Sequence, residues 1–186
     1  MEKKILVVVD MQNDFIDGAL GSKEAEKIVD NCVSKVKEAF NNNDTVIFTR
    51  DTHYEDEYMN TEEGKNLTVP HCIHDSIGWC ISPAFRNYET NSIRIDKETF
   101  GSRLLGERIA EMAKKNNITQ VELIGLCTDI CVISNALLVK AFNPNIPIYV
   151  DASCCAGVTP ESHDTAIKAM ESCHIHVINK GQEPWR

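Results

Sequence analysis

Positive charge is scarce in this sequence: 19 lysines and arginines stand against 28 aspartates and glutamates in 186 residues, a formal net charge of −9. That imbalance argues against nucleic-acid binding, because phosphate contacts need a basic patch. No basic helix offers itself to an anionic membrane surface. Long apolar runs are missing as well, and no stretch approaches the ~20 apolar residues that span a bilayer. The N-terminal stretch Met1–Asp10 joins two lysines to a short apolar run, but Asp10 closes that run where the cleavage region of a leader would follow. It is read as the first strand of a cytoplasmic protein. CxxC pairs, internal repeats and low-complexity tracts are also absent.

Cysteine is not scarce. There are 8: Cys32, Cys72, Cys80, Cys127, Cys131, Cys154, Cys155 and Cys173. Without a leader these are expected to stay reduced. Cys127 and Cys131 lie four apart and could form a metal pair on one helical turn, but most of the eight read as small apolar fillers. Hydrophobic residues make up 42% and charged residues 25%, ordinary for a globular chain. The length suits one domain over residues 1–186.

Apolar runs alternate with helical patterns. Strands are expected at Ile5–Val9, Thr45–Thr49, Ser92–Ile95, Gln120–Gly125, Ile146–Val150 and Ile175–Ile178. Helices are expected at Ala25–Phe40, Leu104–Lys115, Asp129–Phe142 and Pro160–Ser172, the last with proline in its first turn. Strands alternating with helices imply parallel βαβ units, and strands apolar on both sides imply a sheet covered on both faces. The expected fold class is α/β: a three-layer α/β/α sandwich around a six-stranded, mainly parallel sheet. One long stretch, residues 51–88, has weak periodicity and many His, Asp, Glu and Pro residues; such segments inside compact domains are usually functional or disordered.

In open α/β sheets ligands bind beyond the carboxyl ends of the strands. Asp10, the Arg50–His53 segment, Asp96-Lys97 and the Gly125–Cys131 segment all fall at such ends. With Thr128 or Asp129 as N-cap, Cys131 occupies the first turn of its helix, where the dipole favours a thiolate and backbone N–H groups can receive an oxyanion. Asp10 could accept the thiol proton and then protonate a leaving group. Lys97 could favour the thiolate. His163 is the alternative partner for a Cys–His pair, but it falls inside a helix. Asp51, His53 and His71 form a candidate metal set suited to zinc, iron or manganese, with His74, Glu62 and Glu63 as spare ligands. The competing reading of each is bland: a buried thiol, a loop cap, a surface lysine, a solvated polar loop. His174 and His176 read as structural.

Taken in order, Val8–Phe15, Thr49–His53, Pro70–Cys72, Asp96–Ser102 and Gly125–Val132 resemble five motifs of the nicotinamidase/isochorismatase-like cysteine hydrolases, and the resemblance spans almost the whole chain. It implies a catalytic triad of Asp10, Lys97 and Cys131. It implies an oxyanion hole from the backbone N–H groups of Cys127 and Cys131, a cis peptide between Leu126 and Cys127, and Phe15 beside the substrate ring. It implies a divalent metal, zinc first with iron or manganese as alternatives, on Asp51, His53, His71 and a carboxylate, for which Glu63 fits better than Glu62. The implied reaction is hydrolysis of nicotinamide to nicotinate and ammonia through a Cys131 thioester, in a homo-oligomeric (dimeric or tetrameric) cytoplasmic enzyme of NAD salvage. Nicotinamidases often carry a tryptophan shortly before the Pro-His segment, where this chain reads Asn66-Leu67-Thr68-Val69. That departure favours an alternative small amide such as an N-carbamoyl compound or a ureide, with Trp79 as a replacement aromatic wall. A non-catalytic small-molecule-binding protein on the same fold is a third reading.

Overall fold

The computed structural model describes residues 3–186; Met1 and Glu2, which begin the N-terminal stretch considered above, lie outside the described residues. The strands are β1 (Lys3–Val9), β2 (Thr45–Asp51), β3 (Ile93–Lys97), β4 (Ile118–Leu126), β5 (Ile148–Ala156) and β6 (His176–Ile178). The helices are α1 (Asn13–Ile16), α2 (Lys23–Asn41), α3 (Glu62–Asn66), α4 (Arg86–Glu89), α5 (Arg103–Lys115), α6 (Ile133–Phe142) and α7 (Pro160–Ser172). All strand pairings are parallel, in the order β3-β2-β1-β4-β5-β6.

The helix ends follow from local side-chain chemistry. Ser22 and Ser102 each accept a hydrogen bond from a backbone N–H in the first turns of α2 and α5, and Thr159 and Ser162 form a reciprocal capping box at α7. Alternation along β1 then divides the interior. Ile5, Val7 and Val9 pack with Leu105 and Ile109 of α5, Ala136 and Val139 of α6, and Ile167 and Met170 of α7. Leu6 and Val8 pack on the opposite face with Ile28, Cys32 and Val36 of α2 and with Cys72, Trp79 and Phe85 from the segment between β2 and β3. The result is the three-layer α/β/α sandwich. Each fully buried large aliphatic contributes about 1.5–3 kcal/mol relative to exposure.

Several expected boundaries move, three of them for a visible reason. β3 runs to Lys97, not Ile95, because it pairs with β2 through Asp51↔Lys97. β5 starts at Ile148, two residues later than expected, and continues to Ala156, where small buried residues (Ala152, Cys154, Cys155, Ala156) pack without a strand-like pattern of bulk. The helix expected from Asp129 begins as a π-helical turn, Thr128–Val132, before α6 proper. The segment after β2 contains short helices and a parallel bridge between His53 and Ile73. No helix among the described residues is long and apolar enough to cross a membrane.

The chain leaves β1 outward in one direction to β2 and β3, then returns to the other side of β1 for β4. The reversal lies between β1 and β4, and the carboxyl ends of those two strands present Asp10 and the Cys127–Cys131 turn. This is the crevice where open parallel sheets bind ligands.

A partly buried ion pair fastens α2 to the sheet. Lys35 Nζ lies 2.8 Å from Asp151 Oδ2 and 2.9 Å from Glu122 Oε1, and the Asn179 amide donates to both Asp151 oxygens at 3.0 Å. Burial would raise the Asp151 pKa, but hydrogen bonds from Lys35, Ser153 and Asn179 outweigh it and hold the carboxyl below its usual value. Its contribution to stability is therefore complete above the unfolded carboxylate value of about 3.9 and is lost as pH falls through the lower folded value. Asp151→Ala should cost about 2 kcal/mol in a urea titration at pH 7, below the range for a fully buried pair because Lys35 is partly exposed and keeps Glu122, and less near pH 3. An equal cost at both pH values would contradict this account.

Candidate active site

Asp10 closes β1 with φ 46°, a left-handed conformation that aspartate tolerates better than most residues. The turn sends its side chain across the end of β2, where Thr49 Oγ1 donates to Asp10 Oδ1 at 2.6 Å. On the other side of β1, Gly125 has φ 115°, and a Cβ there would meet the Val9 carbonyl oxygen at 2.1 Å. Only glycine lets β4 run this close to β1 before the chain passes through a cis Leu126–Cys127 peptide into the π-helical turn that carries Cys131.

Lys97 reaches the same point from the end of β3. Its Nζ lies 2.7 Å from Asp10 Oδ2, 3.2 Å from Asp51 Oδ1 and 3.4 Å from Cys131 Sγ. Asp10 is fully buried, and Lys97 and Cys131 are each 4% exposed. Asp10 Oδ2 is paired with the ammonium, and the carboxylate is also within hydrogen-bonding reach of the Cys131 thiol. Burial raises the Asp10 pKa against the lowering effect of Lys97, which makes the carboxylate a stronger base. The Cys131 thiol is pushed well above its usual value by burial and Asp10, with Lys97 opposing. Burial works against the Lys97 charge, but Asp10, Cys131 and Asp51 together hold it protonated.

Asp51 turns its second oxygen to another cluster. Oδ2 lies 2.8 Å from His53 Nε2 and 3.3 Å from His71 Nε2, while Glu63 Oε1 lies 3.7 Å and 3.4 Å from the same two nitrogens. One ligand atom from each of Asp51, His53, Glu63 and His71 falls within 4.8 Å of the others. Burial would raise the Asp51 carboxyl, yet hydrogen bonds from His53 and His71 and the charge of Lys97 hold it far below the usual range. Against the effect of burial, hydrogen bonds to Asp51, Glu63 and the Val69 carbonyl push His71 up to about 10. Two carboxylates and two imidazoles converging at this spacing suit a divalent cation of the zinc, iron or manganese kind. Glu62 faces the cavity and is bonded to Asn66, while Glu63 faces the histidines. His74 stands apart, half exposed beside Asp75 and stacked on Tyr54.

These clusters share a cavity of about 700 Å³, with Phe15, Cys127 and Cys131 among its lining residues. The Phe15 ring meets the His71 ring edge-on at 5.4 Å. Burial, with Asp129 and Asp10, pushes the Cys127 thiol up to about 12.

Two expectations are corrected. Trp79 does not line the cavity: its Nε1 donates to Thr52 Oγ1 at 2.9 Å, and its ring is covered by the Arg50 guanidinium at 3.7 Å. Neither Thr128 nor Asp129 caps the helix. Asp129 Oδ1 accepts from the Val158 N–H at 3.1 Å, and the Thr128 hydroxyl faces His163 Nδ1 at 2.8 Å. His163 is thus engaged by Thr128 and, through Nε2, by Glu183 Oε1 at 3.3 Å. It is buried and held neutral, its pKa lowered chiefly by burial.

Two positioning residues were not singled out in the sequence, although Gln12 falls inside the Val8–Phe15 motif. Gln12 accepts from the Asp51 N–H at 2.7 Å and donates to the Asp51 and Trp79 carbonyls at 2.9 Å and 2.8 Å. Buried Asn135 donates to the Cys131 carbonyl at 2.8 Å and the Phe100 carbonyl at 2.9 Å, and accepts from the Ser102 N–H at 2.8 Å. It ties the cysteine turn to the segment following Lys97. Asn135→Leu would strand these buried groups at about 1–3 kcal/mol each. We expect a loss of about 3 kcal/mol in unfolding free energy and faster amide exchange at Ser102; wild-type protection of Ser102 in the variant would refute the tie.

A family model described as the isochorismatase domain matches residues 4–182. A nicotinamidase of Schizosaccharomyces pombe is 27% identical over 210 aligned residues, covering 94% of this chain and 92% of the yeast protein. The crystal structure of the nicotinamidase PncA from Bacillus subtilis is 28% identical with a TM-score of 0.76, covering 94% of this chain and 98% of the other. The crystal structure of N-carbamoylsarcosine amidase from Thermoplasma acidophilum is also 28% identical, with a TM-score of 0.73, covering 94% and 95%.

Proposed function

The chain belongs to the isochorismatase domain family, and on that premise we propose that it is a cysteine amidohydrolase whose leading substrate is nicotinamide. It is a hydrolase of that family acting on carbon–nitrogen bonds. The observation that carries the reading is the buried contact of Lys97 with Asp10 and Cys131 at the sheet's switch point. A structural thiol needs neither a buried carboxylate nor a buried ammonium beside it, and burying such charges is costly unless they serve each other.

In the proposed reaction Asp10 takes the proton of Cys131 Sγ, and the thiolate attacks the amide carbonyl to form a C–S bond. The backbone N–H groups of Cys127 and Cys131 receive the oxyanion, an effect worth about 2.7–4 kcal/mol per donor. Lys97 keeps positive charge beside the sulfur as it becomes anionic. Collapse breaks the C–N bond, and Asp10 returns its proton to the departing ammonia. Water then attacks the thioester with Asp10 as base, the C–S bond breaks, and the sulfur regains its proton as the acid leaves. Asp51, His53, Glu63 and His71 would hold a divalent ion, zinc in the first instance, which supplies Lewis-acid polarisation and an acidified water. Phe15 would flank the substrate.

A second reading, hydrolysis of an N-carbamoyl compound or ureide, is supported by the 28% identity to N-carbamoylsarcosine amidase and by Leu67, not an aromatic residue, in the cavity wall. We read residues 1–186 as a single domain working in the cytoplasm as a dimer or tetramer, a state that light scattering would report.

Ammonia release from nicotinamide by metal-loaded protein should be lost, by at least 10³-fold, in Cys131→Ala with its far-UV dichroism intact; retained turnover would exclude the thioester. Removing metal with a chelator should lower both activity and melting temperature, and zinc, iron or manganese should restore them. A melting temperature indifferent to chelation would show that the cluster holds no ion.

A further inference from the structure

The cavity beside Cys131 is larger than a compact amide requires. Its volume is about 700 Å³. Pockets of roughly 300–1,000 Å³ enclose drug-sized ligands, so a single-ring carboxamide leaves much of this one open. The lining changes character with exposure. Phe15 and Cys131 are buried, Leu20, Leu67 and Ile130 are half-buried, and Phe100 is 44% exposed at the mouth. An apolar wall therefore continues from the thiol to the surface, and a one-ring ligand at the thiol would leave its outer part uncovered.

The charges around the cavity are one-sided. Lys97 and Asp10 offset each other at 2.7 Å, and Asp51 and Glu63 belong to the cluster suited to a cation. That leaves Glu62 and Glu98, both exposed, on the lip. Among the described residues that line the cavity there is no lysine or arginine. A ligand ending in a carboxylate would meet like charge at the lip with no side-chain counterion, whereas a neutral or cationic end would not.

We propose that the site takes an amide whose acyl part extends as an apolar body along Phe15, Leu67, Ile130 and Phe100 and ends in a neutral or positively charged group. Amides ending in a carboxylate are discriminated against. This deepens the amidohydrolase reading above and rests on it for the placement of the carbonyl at Cys131. Within the second reading it disfavours N-carbamoyl amino acids, which are anions at neutral pH.

The test uses nicotinamide and three derivatives carrying the same alkyl chain on the ring, ending in methyl, ammonium or carboxylate. Metal-loaded protein is assayed for kcat/KM, and binding to Cys131→Ala is measured by calorimetry, which does not depend on turnover. The methyl- and ammonium-ended amides should exceed nicotinamide by at least tenfold in both measurements, and the carboxylate-ended one should fall at least tenfold below the methyl-ended one. Glu62→Gln with Glu98→Gln should narrow the ammonium-to-carboxylate ratio at least threefold, and Leu67→Trp should lower the ratio of extended to unextended amide. Extended amides no better than nicotinamide, or a carboxylate end equal to a methyl end, would overturn the proposal. Turnover of nicotinamide without these preferences would defeat the proposal alone. Binding preferences without turnover of any amide would defeat the hydrolytic reading and sustain the cavity's selectivity. No binding of any probe would defeat both.

Discussion

Burying the ammonium of Lys97 would cost several kcal/mol if it stood alone, and the site is arranged so that it does not. Asp10 and Asp51 each place a carboxylate oxygen against it, at 2.7 Å and 3.2 Å. The three residues come from the ends of three adjacent strands, so the register of the sheet and the charge balance of the site are one constraint. A slip of β3 against β2 would reverse the face of Lys97 and leave two buried carboxylates facing each other. The thiol of Cys131 is then placed against a cation that is already fixed.

Asp51 couples this arrangement to the second cluster by using its two oxygens separately, one for Lys97 and one for His53 and His71. The segment after β1 braces both. Gln12 clamps the Asp51 backbone, and the Asp14 carboxylate accepts the Cys72 N–H at 2.7 Å, holding the chain next to His71. A short stretch beginning at Asp10 thus supplies the proton acceptor of the proposed reaction and the supports of the cluster that suits a metal. On the far side, Thr128, His163 and Glu183 link the cysteine turn to the C-terminal tail, whose Trp185 donates to the Cys155 carbonyl at 3.1 Å.

Much of this was legible in the residues. Apolar runs separated by amphipathic helices gave the layer architecture, and strand ends carrying Asp10, Asp51, Lys97 and Cys131 pointed to one rim. The illegible parts share a cause. Gln12 acts on the Asp51 and Trp79 backbone and Asn135 on that of Phe100 and Ser102, and nothing near either residue in sequence reveals those distant partners. Trp79 reads as a wall by residue type alone, but the position of Arg50 and Thr52 turned it inward. β5 was cut short because small buried residues carry no strand-like periodicity, and the helix cap at Thr128 failed because His163, thirty-five residues away, competes for the hydroxyl.

By itself the sequence determined the α/β class, the parallel sheet and the identity of the groups at its carboxyl edge, because hydrophobic period and strand-end position are local properties. Only the tertiary structure decided that Asp51 serves two clusters at once. It also decided that Phe15 and Phe100 line one cavity. Those outcomes depend on distances between segments separated by tens of residues, and such distances are set when the layers pack.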